Sequence, residues 1–397
     1  MKKNILFVMN NLRVGGAEKA LIAKLEVFDY SKYNVDLQLF THEGLFLKQL
    51  TDKVNLLPPL DEYSYFDMSW STAAAKAVRK GRLDILLNRL KAGWVYKTEK
   101  NASRREQRAW QYISPGIRRS GKKYDAAIGF LEKMPDYYVA EKVDAKIKVA
   151  YIHNDYDGLQ MDPEIDRKYF PEFDYIVTDS EECKNILSRH FPQDSYKVRI
   201  LMNIVSPKLI RKLAEEEVPE KFSQKPLIIS VGRIEPQKGY HLSVEALKLL
   251  KDRAVEFHWV ILGKGVLEEK IRHMVQEAGL DEYVSFLGIK ENHYAYVSKA
   301  AVYMQTSIFE GKSVAVDEAK ILGKPILITE FPSVRDQIEN GVTGIVVKKV
   351  AEEIAGALER MLREPALREG LSRNLAAKDW GTEHEMEKFY QMLEGKL

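Results

Sequence analysis

The feature that most constrains this chain is an alternation that runs twice. Short apolar runs, each too brief for a globular helix, are separated by amphipathic segments. In the first half, strands are predicted over 5–9, 35–40, 126–130, 148–152, 175–178 and 198–201, with helical spacing over 17–28 and 181–189. A charged stretch, 208–225, containing Glu215, Glu216 and Glu217 and closed by Pro226, breaks the pattern and marks a domain boundary. The pattern then restarts. Strands are predicted over 227–231, 257–262, 284–287, 301–305, 325–328 and 344–347, and helices over 241–251, 267–278, 314–322 and 351–362. Alternation of this kind builds βαβ units on parallel sheets. The expected class is α/β, with two doubly wound domains over 1–205 and 206–375. A chain of 397 residues is too long for one ordinary core. Its 45% hydrophobic and 30% charged residues exclude wholesale disorder.

Several classes of function are disfavoured. The lone cysteine, Cys183, follows Glu181 and Glu182, which disfavour a thiolate, so it reads as structural. No Cys/His cluster has metal-site spacing. The N-terminal apolar run covers only Ile5–Met9 and meets Asn10, Asn11 and Arg13 without a small-residue cleavage site, so it reads as a buried first strand. No run approaches the roughly 18 apolar residues of a membrane span. A cytoplasmic location is expected, with peripheral contact at the inner face of the plasma membrane. That contact is suggested by charge: the formal net charge is only +3, yet Lys76–Lys123 holds 15 Lys and Arg against Asp84, Glu99 and Glu106. This basic helical insertion, placed at 73–123, can align Ile85, Leu86, Leu90 and Trp94 on one face with Arg82, Arg89 and Lys91 nearby. Such a face suits an anionic membrane surface. A solvated helix packed on its own domain is the competing reading. Nucleic acid is not expected, because no recognised binding module is present.

In parallel sheets, ligands bind beyond the carboxyl ends of strands, so the residues after each apolar run matter most. After the first strand, Asn11-Leu12-Arg13-Val14-Gly15-Gly16-Ala17-Glu18 puts two glycines at a strand-to-helix turn, where backbone N–H groups can approach a ligand. The spacing is not GxGxxG, which disfavours NAD or FAD. A plain turn using glycine for its backbone freedom explains it equally well. After 227–231 comes Gly232-Arg233-Ile234-Glu235-Pro236-Gln237-Lys238-Gly239. Arg233 can grip phosphate bidentately and Lys238 supplies a compact charge; a solvated surface turn is the alternative. Gly263-Lys264-Gly265 and Gly288-Ile289 end the next two strands. The most informative segment is Ser307-Ile308-Phe309-Glu310-Gly311-Lys312-Ser313-Val314-Ala315-Val316-Asp317-Glu318-Ala319. It combines a loop carboxylate, Glu310, with a helix start capped at Ser313. Carboxylates suit sugar hydroxyls, and helix N-termini suit phosphates. In the first half, Tyr151-Ile152-His153-Asn154-Asp155 ends a strand with a histidine, which local backbone could equally satisfy.

Taken together and in this order, these motifs, with Gly323-Lys324-Pro325 and Gly341-Val342-Thr343-Gly344, resemble glycosyltransferase family 4, retaining enzymes of the two-Rossmann GT-B fold. The resemblance implies two domains facing a cleft, and a terminal helix over 376–397 that packs back on the first domain. It implies a hexose-type sugar moved from a nucleotide-sugar donor, UDP by family breadth, to a saccharide acceptor. Arg233 and Lys238 would bind the diphosphate, Glu310 the sugar hydroxyls and Glu318 the ribose. Lys312, Ser313 and Val314 would hold sugar and phosphate through the backbone. Gly15 and Gly16 would line the donor and acceptor side, and His153 would bond the sugar near the reacting centre. Gly263, Gly265 and Ile289 join the donor-binding set. No metal or other cofactor is expected. Lys312 and Ser313 depart from the usual aromatic residue and proline or glycine. With Thr329 and 333–337 downstream, this variant looks like transferases of bacterial surface-polysaccharide assembly; a lipid-linked saccharide acceptor would follow from the membrane reading of the basic insertion. An epimerase on the same fold, acting without acceptor, and a non-catalytic partner subunit are the rival readings.

Overall fold

The computed structural model describes residues 2–13, 15–220, 222 and 224–397; Val14 of the first glycine motif and two positions of the charged stretch, 221 and 223, lie outside the described residues. The chain forms two compact units, one of Met1–Asn203 with His384–Leu397, the other of Ile204–Glu383.

The first unit is built on a seven-stranded sheet. Its strands are β1 (Lys3–Met9), β2 (Tyr33–Leu39), β3 (Asn55–Leu56), β4 (Lys123–Gly129), β5 (Asp144–Tyr151), β6 (Tyr175–Thr178) and β7 (Val198–Ile200). Their order is β3-β2-β1-β4-β5-β6-β7, every pairing parallel. The β1 and β4 side chains from Ile5 to Met9 and from Ala126 to Ile128 are fully buried, as expected where helices cover both faces of a parallel sheet. The order reverses between β1 and β4, which makes their carboxyl ends the ligand-binding position of this topology.

Between β3 and β4, after a single helical turn at Ser64–Asp67, run three longer helices, Trp70–Lys80, Leu83–Thr98 and Ala102–Ile113. The hydroxyl of Ser69 accepts from the Thr72 N–H and starts the first; the Asn101 side chain accepts from the Arg104 N–H at 2.8 Å and starts the third. The basic face predicted for this insertion needs correction. Ile85 is wholly buried among Tyr65, Ala73 and Ala77, with Leu86 partly buried against them, so neither belongs to a solvent-facing stripe.

The second unit has a six-stranded sheet of β8 (Leu227–Val231), β9 (His258–Leu262), β10 (Val284–Gly288), β11 (Val302–Gln305), β12 (Ile326–Thr329) and β13 (Ile345–Val347). The order is β10-β9-β8-β11-β12-β13, again parallel throughout, with the reversal between β8 and β11.

The division between units differs from the boundaries read from the sequence. It falls between Asn203 and Ile204, because Val205 and Ile210 pack with Tyr294 and Ile321 of the second unit. The charged stretch therefore opens with a helix, Pro207–Ala214, that belongs to that unit. At the other end the return comes between Glu383 and His384. The Thr382 hydroxyl accepts from the Val205 N–H at 2.8 Å, and the Trp380 ring lies 3.8 Å from the Lys320 ammonium, which keeps residues before 384 on the second unit. The terminal helix, Glu385–Leu393, completes the core of the first unit: Phe389 is fully buried, its ring 6.0 Å from Phe7 and 6.1 Å from Phe28. No described helix is long and apolar enough to cross a membrane.

Removing the Phe389 ring leaves a cavity under β1. Phe389→Ala is expected to cost about 3–5 kcal/mol of unfolding free energy, read from urea denaturation.

Candidate functional site

In the second unit, the loops after β8 and β11 meet at the point where strand order reverses. Gly239, at φ 60°, permits the sharp turn after Lys238, and a Cβ there would lie 2.1 Å from the Thr306 carbonyl oxygen. This close approach lets Lys238 reach the second loop. Its ammonium lies 2.6 Å from Glu310 Oε1, with both side chains largely buried. Glu310 also accepts from Ser307 Oγ at 2.6 Å and from Gln237 Nε2 at 3.1 Å, and Gln305 Nε2 lies 3.4 Å away. The Ser333 hydroxyl donates to the Glu310 carbonyl at 2.8 Å and fixes the loop backbone. The carboxylate is thus held in one orientation beside a cation.

Arg233 lies in the same loop as Lys238, and the Lys238 stem passes close to Gly232. Its guanidinium is half-exposed and 3.4 Å from Glu235. The same loop thus carries one solvent-facing guanidinium and one largely buried ammonium, and both are groups that a phosphate can pair with.

Ser313 occupies the N-cap position of helix Val314–Ile321, but its hydroxyl does not cap it. The hydroxyl donates instead to Gln305 Oε1 at 2.9 Å, while Gln337 grips the Ser313 backbone, accepting from its N–H at 3.2 Å and donating to its carbonyl at 2.6 Å. The expectation of a serine cap is therefore corrected: tertiary partners took both groups. Lys312 points inward, its ammonium 3.4 Å from Asp317, which Lys320 approaches to 3.1 Å from the other side. Burial by itself would raise the Asp317 carboxyl; the two ammonium groups overcome it and hold the group below the usual carboxylate range. The Lys312 side chain therefore serves its own helix, leaving the backbone of 312–314 as the part that can face a ligand.

Glu318 is buried, and its two oxygens accept from His293 Nε2 at 2.8 Å and Tyr294 Oη at 3.3 Å. Gly263 and Gly265 have a packing duty. A Cβ at Gly263 would lie 1.9 Å from the Gly232 carbonyl oxygen, and one at Gly265 would lie 2.3 Å from that of Ile234. They let the loop after β9 press against the loop that carries Arg233. Ile289 is exposed beyond the end of β10.

In the first unit, the ends of β1, β4 and β5 bring together a second set. Gly15, in extended conformation, precedes helix Gly16–Glu26; a Cβ at Gly16 would meet nothing within 4 Å, whereas one at Gly15 would lie 2.2 Å from the Glu18 carboxylate, so the Glu18 side chain packs against this turn. His153 is buried, its ring 5.0 Å from Phe130 and 5.3 Å from Tyr151. Its backbone N–H donates to Glu132 at 3.1 Å, and Glu132 also accepts from Asn154 Nδ2. The His153 Nε2 is buried without a hydrogen-bond partner. Burial, with help from the Lys24 ammonium, pushes the imidazole down to about 4, so the ring is neutral at physiological pH. A cavity of about 450 Å³ lies beside this set, bounded by Asn10, Arg13 and Glu43 at the strand ends and by Tyr96 and Arg105 from the helical insertion.

The sequence reading quoted Ser307 and Gln337 within motifs but gave them no role, and it missed Glu132, Gln305 and His293. Glu132, Gln305 and Ser307 lie at or just beyond the ends of β4 and β11, so the same strand-end rule could have found them. His293 and Gln337 carry no local signal. Among the described residues, no group of His, Cys, Asp and Glu is placed to hold a metal ion. Cys183 is buried and its thiol is pushed up by burial, which makes it a packing residue.

Residues 212–378, most of the second unit, match the family model described as glycosyl transferases group 1. Among curated proteins, the chain is similar to an uncharacterized glycosyltransferase of Methanocaldococcus jannaschii, at 23% identity over 267 residues, 58% of this chain and 66% of that one. It is also similar to the N-acetylgalactosamine-N,N'-diacetylbacillosaminyl-diphospho-undecaprenol 4-alpha-N-acetylgalactosaminyltransferase of Campylobacter jejuni, at 28% identity over 222 residues, 55% of this chain and 59% of the relative. These alignments span less than two thirds of each relative's length. Among solved structures, Anabaena HepE in complex with UDP and glucose superposes with a TM-score of 0.67 at 15% identity, covering 99% of this chain and 100% of that one. The chain therefore has the GT-B fold, two Rossmann-like α/β domains.

Two predictions follow from the geometry. Glu310→Gln leaves the Lys238 ammonium largely buried and unpaired, and is expected to cost about 3–5 kcal/mol of stability, while Lys238→Met with Glu310→Leu costs less than the single change. For His153, the folded chain refuses a proton that the unfolded chain accepts between about pH 6.5 and 4, so its stability contribution is present above that window and lost as pH falls through it. The loss is on the order of 3 kcal/mol. Urea denaturation of wild type and His153→Gln, at neutral pH and near the lower end of the window, should show a smaller pH effect in the variant.

Proposed function

We propose that this protein is a retaining glycosyltransferase that moves a hexose-type sugar from a nucleoside-diphosphate donor, UDP in the first instance, to a saccharide acceptor in cell-surface polysaccharide assembly. The observation that carries this reading is the Lys238–Glu310 pair, on a loop that also carries Arg233, set where the strand order of the second unit reverses. A diphosphate leaving group needs cations, and a sugar needs an oriented carboxylate; this loop pair offers both. UDP is supported by Anabaena HepE, solved with UDP and glucose. A lipid-linked acceptor is supported by the Campylobacter relative, whose name specifies a diphospho-undecaprenol-linked saccharide. The partner of segment 76–123 in this reading is an anionic membrane surface, and the place of work is the inner face of the plasma membrane.

In the reaction, the bond between the anomeric carbon and the diphosphate oxygen breaks while Arg233 and Lys238 take up the developing charge. The backbone N–H groups of Lys312 and Val314 add to the phosphate, while the Ser313 N–H stays on Gln337 and holds that turn in place, and Glu310 orients the sugar hydroxyls. The acceptor oxygen attacks from the face the diphosphate leaves, and its proton passes to the departing phosphate oxygen. His153, neutral, bonds a sugar hydroxyl and cannot itself supply positive charge. Ribose hydroxyls bond Glu318. The scheme uses no metal, so the rate should be unaffected by EDTA.

The test is a panel of UDP-, GDP- and dTDP-sugars, read by thermal shift and by nucleoside diphosphate release. One donor should stabilise the protein and be hydrolysed slowly, and Arg233→Ala should lower turnover roughly 10²–10³-fold, the scale for one lost electrostatic stabiliser. A near wild-type rate in that variant removes Arg233 from the mechanism. Proton NMR of the product should show the donor's anomeric configuration, and inversion would refute retention. Silence across the panel, with and without membrane extract as acceptor source, would favour a non-catalytic role.

A further inference from the structure

Helix Leu83–Thr98 has two apolar faces. Ile85, Ala92 and Val95 form one and are buried in the unit's own core. Leu83, Leu87, Leu90 and Trp94 form the other and are 59, 65, 55 and 66% exposed. Their spacing of i, i+4, i+7 and i+11 stacks them along one side of the helix. Trp70 and Val78 of the preceding helix, Trp70–Lys80, are exposed as well. Of the 13 large hydrophobic side chains exposed among the described residues, seven lie between 70 and 96. Clustering of this kind marks an interaction surface, whereas single exposed residues do not.

The charges around the patch select its partner. Arg79, Lys80, Lys91, Lys97 and Lys100 are all exposed. Asp84, the one acid within the Leu83–Thr98 helix, is bonded to Arg82 at 3.0 Å. Two copies of this face brought together would set cation against cation, which opposes a symmetric dimer. An anionic bilayer answers both halves of the composition: leucine and tryptophan enter the headgroup boundary, and lysines keep their ammonium groups at the lipid phosphates.

We infer that the Leu83-Leu87-Leu90-Trp94 stripe is a membrane-docking face specific for anionic lipid. It rests on the proposed reading that this insertion meets a membrane, and it replaces the residues that helical spacing alone suggested. The same helix contributes Tyr96 to the 450 Å³ cavity of the first unit, so docking would bring a wall of that cavity to the bilayer, where a saccharide on a lipid carrier is held.

The experiment is flotation of the full chain with vesicles of phosphatidylcholine alone or with phosphatidylglycerol, at moderate and high salt. Binding is expected only with phosphatidylglycerol, and weaker at high salt. Leu87→Glu with Trp94→Glu should weaken it by about tenfold or more, while thermal stability and donor hydrolysis keep their wild-type values. Absence of wild-type flotation, or flotation untouched by the double variant, overturns the proposal. So does a wild-type dimer in sedimentation that the variant dissociates, since the face would then be a protein interface. Donor hydrolysis is read separately: flotation without hydrolysis would leave the docking face standing and refute the transfer reading.

Discussion

The candidate site of the second unit depends on one ion pair. Lys238 comes from the turn after β8 and Glu310 from the loop after β11, strands that are neighbours in the sheet but separated by some seventy residues of chain. A pair this buried contributes little net stability, because desolvating both groups offsets most of their attraction. Its value lies in position. Glu310 is gripped by Ser307, Gln237 and Gln305, and Gln305 in turn holds Ser313 at the helix start. The carboxylate, the ammonium and the helix N-terminus are therefore parts of one hydrogen-bonded body. Preorganised groups of this kind need little rearrangement when charge develops on a leaving group.

The first unit solves a different problem with the same topology. At the ends of β4 and β5 it presents an imidazole rather than a cation. His153 is packed between Phe130 and Tyr151, and burial keeps it neutral. Its main chain is fixed by Glu132, which is followed by Lys133 at φ 77°, a conformation that costs a non-glycine residue about 1–3 kcal/mol. The terminal helix completes this unit: Phe389 closes the core under β1, and the Tyr390 hydroxyl accepts from the Asp29 N–H at 2.7 Å. The helical insertion adds a cavity wall on one side and an apolar stripe on the other.

What the sequence by itself determined is the scaffold and the places where chemistry can sit. Buried parallel strands need near-continuous apolar runs, and those runs are written locally, so twelve of the thirteen strands were legible. The exception, Asn55–Leu56, is two residues long and has no periodicity to detect. Strand-end residues were legible for the same reason: Arg233, Lys238, Glu310 and His153 each follow an apolar run. Only the tertiary structure decided what those residues do to one another. That Lys238 pairs with Glu310, that Ser313 gives its hydroxyl to Gln305 instead of its own helix, and that His293 sits on Glu318 are contacts between segments distant in sequence. The insertion shows the limit most clearly. Helical spacing put Ile85 and Trp94 on one face, but a helix with two apolar sides does not say which one the core will take. Packing against Tyr65, Ala73 and Ala77 buried Ile85 and left Leu83, Leu87, Leu90 and Trp94 in solvent, because burial is settled by the neighbours a side chain meets in space.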